Sequence, residues 1–283
     1  MNLKNPRCFS HLASFFCCFL SFAAAAHAGG LTLTDSGQGL FSLSSGPTGA
    51  AELSGITYAG GTSYYAVGDN KAKSIWQLSI AINSTNGRIT SGSVTGAISA
   101  PGMGDDSEGI ALRPGGNSVW ISDEVASTIT EFSLSTGSPL GSVTVPTIYM
   151  PSNVTNNRGL ESLSYGAGKL WTANEEALVP DGSISTTSAG SWVRLQQFGG
   201  ANFSALGQWA YLTDSISGTP TSFTPAAWAG SIRSGLVDLL ALPTGGVLAL
   251  ERELGGHLFI RITAPGSTSS ISPDPPMSRI FRA

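Results

Sequence analysis

The sequence predicts an all-β protein, a β-propeller of roughly five to six blades. Three observations carry this. Short strand patterns of alternating apolar and small polar residues recur along the chain. A glycine-marked hairpin is repeated, with most intervals near fifty residues. No stretch sustains a 3.6-residue apolar period, so helices are expected to be few.

At the N-terminus, residues 1–28 read as a secretion signal. Lys4 and Arg7 supply the positive start, residues 15–26 the apolar stretch, and Ala26-His27-Ala28 the small residues of a cleavage site. The apolar stretch is too short to span a membrane comfortably, and no later segment is apolar enough. The expected location is therefore secreted or periplasmic, without a membrane span.

Removing that segment takes away Cys8, Cys17 and Cys18, and with them His11 and His27. The remaining chain of about 255 residues has no cysteine and one histidine, His257. This excludes disulfides, a thiol nucleophile and a Cys/His zinc site, and any Ser-His-Asp triad would have to use His257. Loss of Lys4 and Arg7 moves the net charge from −4 to about −6, which argues against nucleic acid as a partner.

The propeller domain is expected over residues 29–263. Its first hairpin runs from Gly55 through Gly60-Gly61 to Asp69, and the second from Gly109 to Asp123, 14 positions in each case. In the second, strand patterns at 109–112 and 119–122 flank Arg113-Pro114-Gly115-Gly116-Asn117, where proline and paired glycines reverse the chain at low steric cost. A third strand is predicted over 128–134. Further copies run from Gly159 to Glu176 and from Gly235 to Arg252. Leu112 to Asp123, Leu163 to Asn174 and Leu240 to Glu251 each span 11 positions. The starts at Gly55, Gly109, Gly159 and Gly235 are separated by 54, 50 and 76 residues, and the last gap calls for a loop insertion or a degenerate blade. Trp120 and Trp171 are expected to pack between blades. Residues 264–283, rich in proline and serine, read as an irregular tail. A monomer is expected.

Corresponding ends of innermost strands converge around a propeller's axis. On this repeat Asp106, Glu108, Asp123, Glu124, Glu161, Glu175 and Glu251 approach one mouth. So many carboxylates repel unless cations intervene. Oxygen ligands without thiol or imidazole point to Ca²⁺ before a transition metal. The alternative is that these groups cap turns and accept backbone N–H bonds, and both readings can hold. Arg158 and Arg252 lie in the same segments, with Arg194 and Arg233 nearby. A guanidinium fork suits a phosphate or carboxylate. The competing reading has Arg158 and Arg252 neutralising Glu161 and Glu251 locally.

Asp106-Ser107-Glu108-Gly109-Ile110, Trp120-Ile121-Ser122-Asp123-Glu124, Arg158-Gly159-Leu160-Glu161 and Asn174-Glu175-Glu176-Ala177-Leu178 resemble the esterase-like phytase family, as do Leu240-Ala241-Leu242-Pro243 and Leu250-Glu251-Arg252. The resemblance implies a secreted or periplasmic β-propeller with hydrolase activity. Members continue beyond the Leu-Glu-Arg segment into another acidic blade. None follows here before Ala283, so the ring is expected to be incomplete at its C-terminal end.

Two functions follow as expectations. One is a metal-dependent hydrolase of small-molecule phosphoesters or other esters, with Glu108, Glu161, Arg158 and Arg252 as catalytic residues. The other is a non-catalytic secreted propeller that binds a ligand or protein partner, its acidic cluster structural.

Overall fold

The computed structural model describes residues 27–28, 31–32, 36, 38, 41–44, 50–69, 71–155, 157–216, 233–254 and 258–263. The expected signal therefore lies outside the described residues except for His27–Ala28 (β1), which pairs with Leu31–Thr32 (β2). The expected tail and His257 also lie outside them.

Four antiparallel meanders follow one another in the chain. The first contains β3 (Leu53–Gly60), β4 (Ser63–Gly68), β5 (Ser74–Ile82) and β6 (Ile89–Ser99). The second contains β7 (Ser107–Leu112), β8 (Ser118–Asp123), β9 (Thr128–Ser133) and β10 (Pro139–Val143). The third contains β11 (Leu160–Gly166), β12 (Lys169–Asn174), β13 (Trp192–Gly199) and β14 (Ser204–Leu212). The fourth has three strands, β15 (Arg233–Ala241), β16 (Val247–Leu254) and β17 (Leu258–Thr263). The only helical segments among the described residues are three short 3₁₀ turns.

First strands pack on first strands, β3 on β7, β7 on β11 and β11 on β15, which is a propeller-like arrangement. The core lies between the sheets. Val67 and Ile75 meet Ile110, Ile121 and Phe132 between the first two. Trp120 and Ile129 meet Leu160, Leu170 and Phe198 between the second and third. Trp171 and Val193 meet Leu236, Val247 and Ala249 between the third and fourth. Both tryptophans are buried between blades as expected, and full burial of one such apolar side chain contributes roughly 1.5–3 kcal/mol.

Glycine permits the close approach of first strands. A Cβ at Gly55 would lie 2.3 Å from the Glu108 carbonyl oxygen, and one at Gly109 would lie 2.5 Å from the Leu163 nitrogen. Gly235 instead lies against Glu175, the residue just past β12, where a Cβ would meet its Cγ at 2.5 Å.

Structural equivalence nevertheless differs from the glycine alignment. Each first strand carries a β-bulge, and the residue just before it pairs with the second strand. The pairs are Leu53 with Gly68, Ser107 with Asp123, Leu160 with Asn174, and Leu236 with Glu251. Thus Gly55 matches Gly109, whereas Gly159 and Gly235 match Asp106, three positions earlier. The 76-residue interval contains no degenerate blade among the described residues. It is taken up by the long β12–β13 connection and by the segment between β14 and β15.

Candidate metal centre

The bulge register sorts the acidic residues into rows across the blades. At the bulge stand Ser54, Glu108, Glu161 and Val237. Opposite the residue before each bulge stand Gly68, Asp123, Asn174 and Glu251. One residue later come Asp69, Glu124, Glu175 and Arg252. The backbone repeats with them. Asp69 N donates to Glu52 O at 3.0 Å, Glu124 N to Asp106 O at 3.0 Å, and Glu175 N to Gly159 O at 2.9 Å.

Two rows converge. Glu108, Glu124 and Glu161, all buried, offer ligand oxygens within 4.8 Å of one another, and Asp69, Asp106 and Glu108 do the same. Glu124 Oε1 accepts the Gly159 N–H of the next blade at 2.7 Å, and the Ser54 hydroxyl donates to Glu108 Oε2. Arg252 enters from the fourth meander, its half-exposed guanidinium 3.6 Å from Glu161 and 3.4 Å from Glu175.

This crowding shows in the protonation equilibria. Burial, then the charges of Glu108 and Glu175, push the Glu124 carboxyl up to about 9, although the Gly159 N–H opposes this. Burial first, with Glu108 and Glu175 adding, carries Glu161 well above the usual carboxylate range, and Arg252 pulls it back. Glu108 is raised by burial, with the Ser54 bond offsetting part of the rise. Asp69 is raised to about 6 by burial and by its contact with Asp106, which burial also raises. At neutral pH such a cluster holds protons or a cation.

The remaining row caps the chain. Asp123 accepts from Ala126 N at 2.6 Å and, through its other oxygen, from Asp106 N at 3.4 Å. Asn174 accepts from Arg194 N at 2.9 Å. Glu251, expected at the common mouth, is turned instead to the Tyr211 hydroxyl and to Asp214 N, the latter at 2.6 Å. Burial raises it to about 7. Its register explains the departure, because it occupies the place of Asp123 and Asn174, whose side chains serve the backbone.

The arginines depart in part from expectation. Arg252 pairs with Glu161 and Glu175, not Glu251. Buried Arg158 has an Nε without a hydrogen-bond partner, and its charge acts on Glu176, a carboxyl raised by burial and held by Ser191 and Ser185. Arg194 grips Asp181 through two bonds of 2.6 and 2.5 Å, which serves the fold. The side chain of Arg233 lies outside the described residues. Sequence reasoning missed Asp69 and Ser54. Both could have been found by carrying the Glu124 and Glu108 positions back into the first repeat.

The donor set is made of hard oxygens, and Asp106 Oδ1 is buried with no hydrogen-bond partner, so the residues fit a metal ion of the Ca²⁺ or Mg²⁺ kind. A cavity of about 240 Å³ is lined by Met103, Ser107, Ile121, Asp123, Thr128 and Phe132 among others, and by none of the five carboxylates of the two groups. Among the described residues no helix is long and apolar enough to cross a membrane.

Fold and site together define an all-β, propeller-like protein with a buried acidic centre between its first strands. The chain belongs to the family described as Phytase-like, esterase-like activity of phytase, which matches residues 48–271. No curated protein matches the chain. Solved structures similar to it include hydrazine synthase from Kuenenia stuttgartiensis, at 8% identity and TM-score 0.43, covering 78% of this chain and 48% of that one. Another is the PQQ-bound form of aldose sugar dehydrogenase from Streptomyces coelicolor, at 15% identity and TM-score 0.32, covering 53% and 39%. The chain thus spans about half the length of the first. At these scores neither likeness informs the site.

Proposed function

We propose that this chain is a secreted or periplasmic, monomeric, metal-dependent hydrolase of small-molecule phosphoesters or other esters, with Ca²⁺ as the preferred ion. Its four meanders belong to a ring of five to six blades. The observation that carries this reading is the convergence of Glu108, Glu124 and Glu161 within 4.8 Å, with Arg252 at their edge.

Those three carboxylates would hold the ion, with Asp106 and Glu175 close by. A bound ion supplies Lewis-acid polarisation of an ester oxygen and lowers the pKa of bound water. The chain's own groups do the rest. Arg252, half exposed, presents N–H donors to an anionic substrate oxygen while remaining tethered to Glu161 and Glu175. Arg158 contributes a second guanidinium with an unused Nε–H. Glu161 and Glu108 would give up the protons that burial favours when they hold the ion, with Glu108 fixed by Ser54 and Glu161 keeping Arg252 aimed at the substrate.

One observation favours a second reading, a non-catalytic propeller with a structural ion. Glu124 already bonds the next blade at Gly159, so the cluster also ties sheets together. The test is a thermal melt of the purified chain with calcium and with chelator, alongside phosphoester and carboxylester assays. The hydrolase reading expects turnover that chelation abolishes. It also expects Glu161→Gln to lower kcat at least 100-fold with the chelated melt no lower than wild type. A calcium-dependent melt without turnover on any ester would overturn it in favour of the structural ion.

A further inference from the structure

The two acidic groups share Glu108 and are images of one another under the repeat. In the second and third blades the group is Glu124 after the second strand, Glu108 at the bulge, and Glu161 at the next blade's bulge. One blade earlier the same places hold Asp69, Ser54 and Glu108. Ser54 is neutral, but Asp106 joins this group and restores the third carboxylate. In the third blade Asp106 is replaced by Gly159, which has none to give.

One blade later the places hold Glu175, Glu161 and Val237. Here the protein supplies its own cation, since Arg252 lies 3.4 Å from Glu175 and 3.6 Å from Glu161. The wedge therefore recurs three times, and in its third occurrence positive charge from the chain fills it.

We propose that the first wedge, formed by Asp69, Asp106 and Glu108, is a second divalent-cation site that shares Glu108 with the Glu108–Glu124–Glu161 centre. The inference rests on the reading of that centre as a cation site. Three further observations support it. Asp106 Oδ1 is buried and unpartnered, an arrangement that is costly for a carboxylate unless a ligand meets it. Lys73 does not fill the wedge, because it is engaged by Asp105 at 2.9 Å and by the Met103 carbonyl at 3.1 Å. Ser54 donates to Oε2 of Glu108, so the first blade meets the shared carboxylate with a hydrogen bond instead of another negative charge. The donors are all oxygen, which selects a hard ion of the Ca²⁺ or Mn²⁺ type.

Calcium titration calorimetry on the full chain, first stripped with chelator, tests this. Wild type is expected to bind two equivalents. Asp69→Asn leaves one, Glu161→Gln leaves one, and the double substitution leaves none. Circular dichroism of each chelated variant establishes that it is folded. If wild type binds a single equivalent that Glu161→Gln abolishes and Asp69→Asn does not, the second site is overturned while the first stands. Two equivalents that persist in Asp69→Asn would equally overturn it. If wild type binds none, the cation reading of both wedges falls.

Discussion

Two neighbouring rows of side chains, one residue apart in every blade, do different work. Asp123, Asn174 and Glu251 accept backbone N–H bonds from Ala126, Arg194 and Asp214. Asp69, Glu124, Glu175 and Arg252, one step on, lie beside the buried acidic groups. In an extended strand successive side chains point to opposite faces, so a single step separates a cap from a site. The lesson is that an acidic motif in a repeat protein is not one thing. Its two carboxylates are read separately, by register against the bulge.

The largest expected effect comes from forcing the converging row apart. In Gly109→Ala the new Cβ would sit 2.5 Å from Leu163 N and 2.6 Å from the Ser162 carbonyl carbon, both backbone atoms that cannot swing away. Overpacking of this kind costs on the order of 3 kcal/mol. The strain falls between β7 and β11, the strands that carry Glu108 and Glu161, whereas the Asp123 and Asn174 caps lie within single sheets. Chemical denaturation should show the loss of stability, and calcium binding should weaken further than that loss alone explains. Unchanged stability would mean that the first strands are not closely packed there.

Much of the fold was legible because hairpins repeat locally. The turn at Gly115-Gly116 and the strand patterns at 109–112, 119–122 and 128–134 match β7, β8 and β9 to within two residues. The glycine alignment failed by three positions in half of the copies. Gly55 and Gly109 lie in the bulge and face the next first strand, whereas Gly159 and Gly235 precede it and face Glu124 and Glu175, just past the neighbouring second strand. Glu108, Glu124 and Glu161 were identified from position alone. Glu251 was placed wrongly because nothing in a linear motif shows that Tyr211, forty residues away, supplies its partner. Asp69 carries a weaker signal in the sequence, because its blade lacks a bulge carboxylate, Ser54 standing in that place.

The converging row should also betray itself by pH in the absence of metal. Glu124 has its folded pKa raised to about 9 from an ordinary value near 4.5. Between those values the folded chain keeps a proton that the unfolded chain releases. Its contribution is therefore fully present in mild acid and is lost as pH rises toward about 9. Melts in chelator should accordingly fall across that range. Glu124→Gln should flatten the fall by at most about 1.4 kcal/mol per pH unit. Saturating calcium should flatten it too, since the ion replaces the protons. A chelated melt that rises with pH would show that these carboxylates are not pressed together.

The smallest effect is expected at Arg252, and it separates a surface ion pair from an internal substitute for a cation. The side chain is 44% exposed and its two contacts are long, so Arg252→Gln should cost no more than about 1 kcal/mol with calcium present. Glu161 and Glu175 would nevertheless lose the positive group paired with both of them. The rise in melting temperature produced by calcium should therefore be larger in the variant than in wild type, because the ion then relieves repulsion that Arg252 had relieved before. Were the calcium increment unchanged, Arg252 would be an ordinary surface charge, and the third wedge would lose its kinship with the other two.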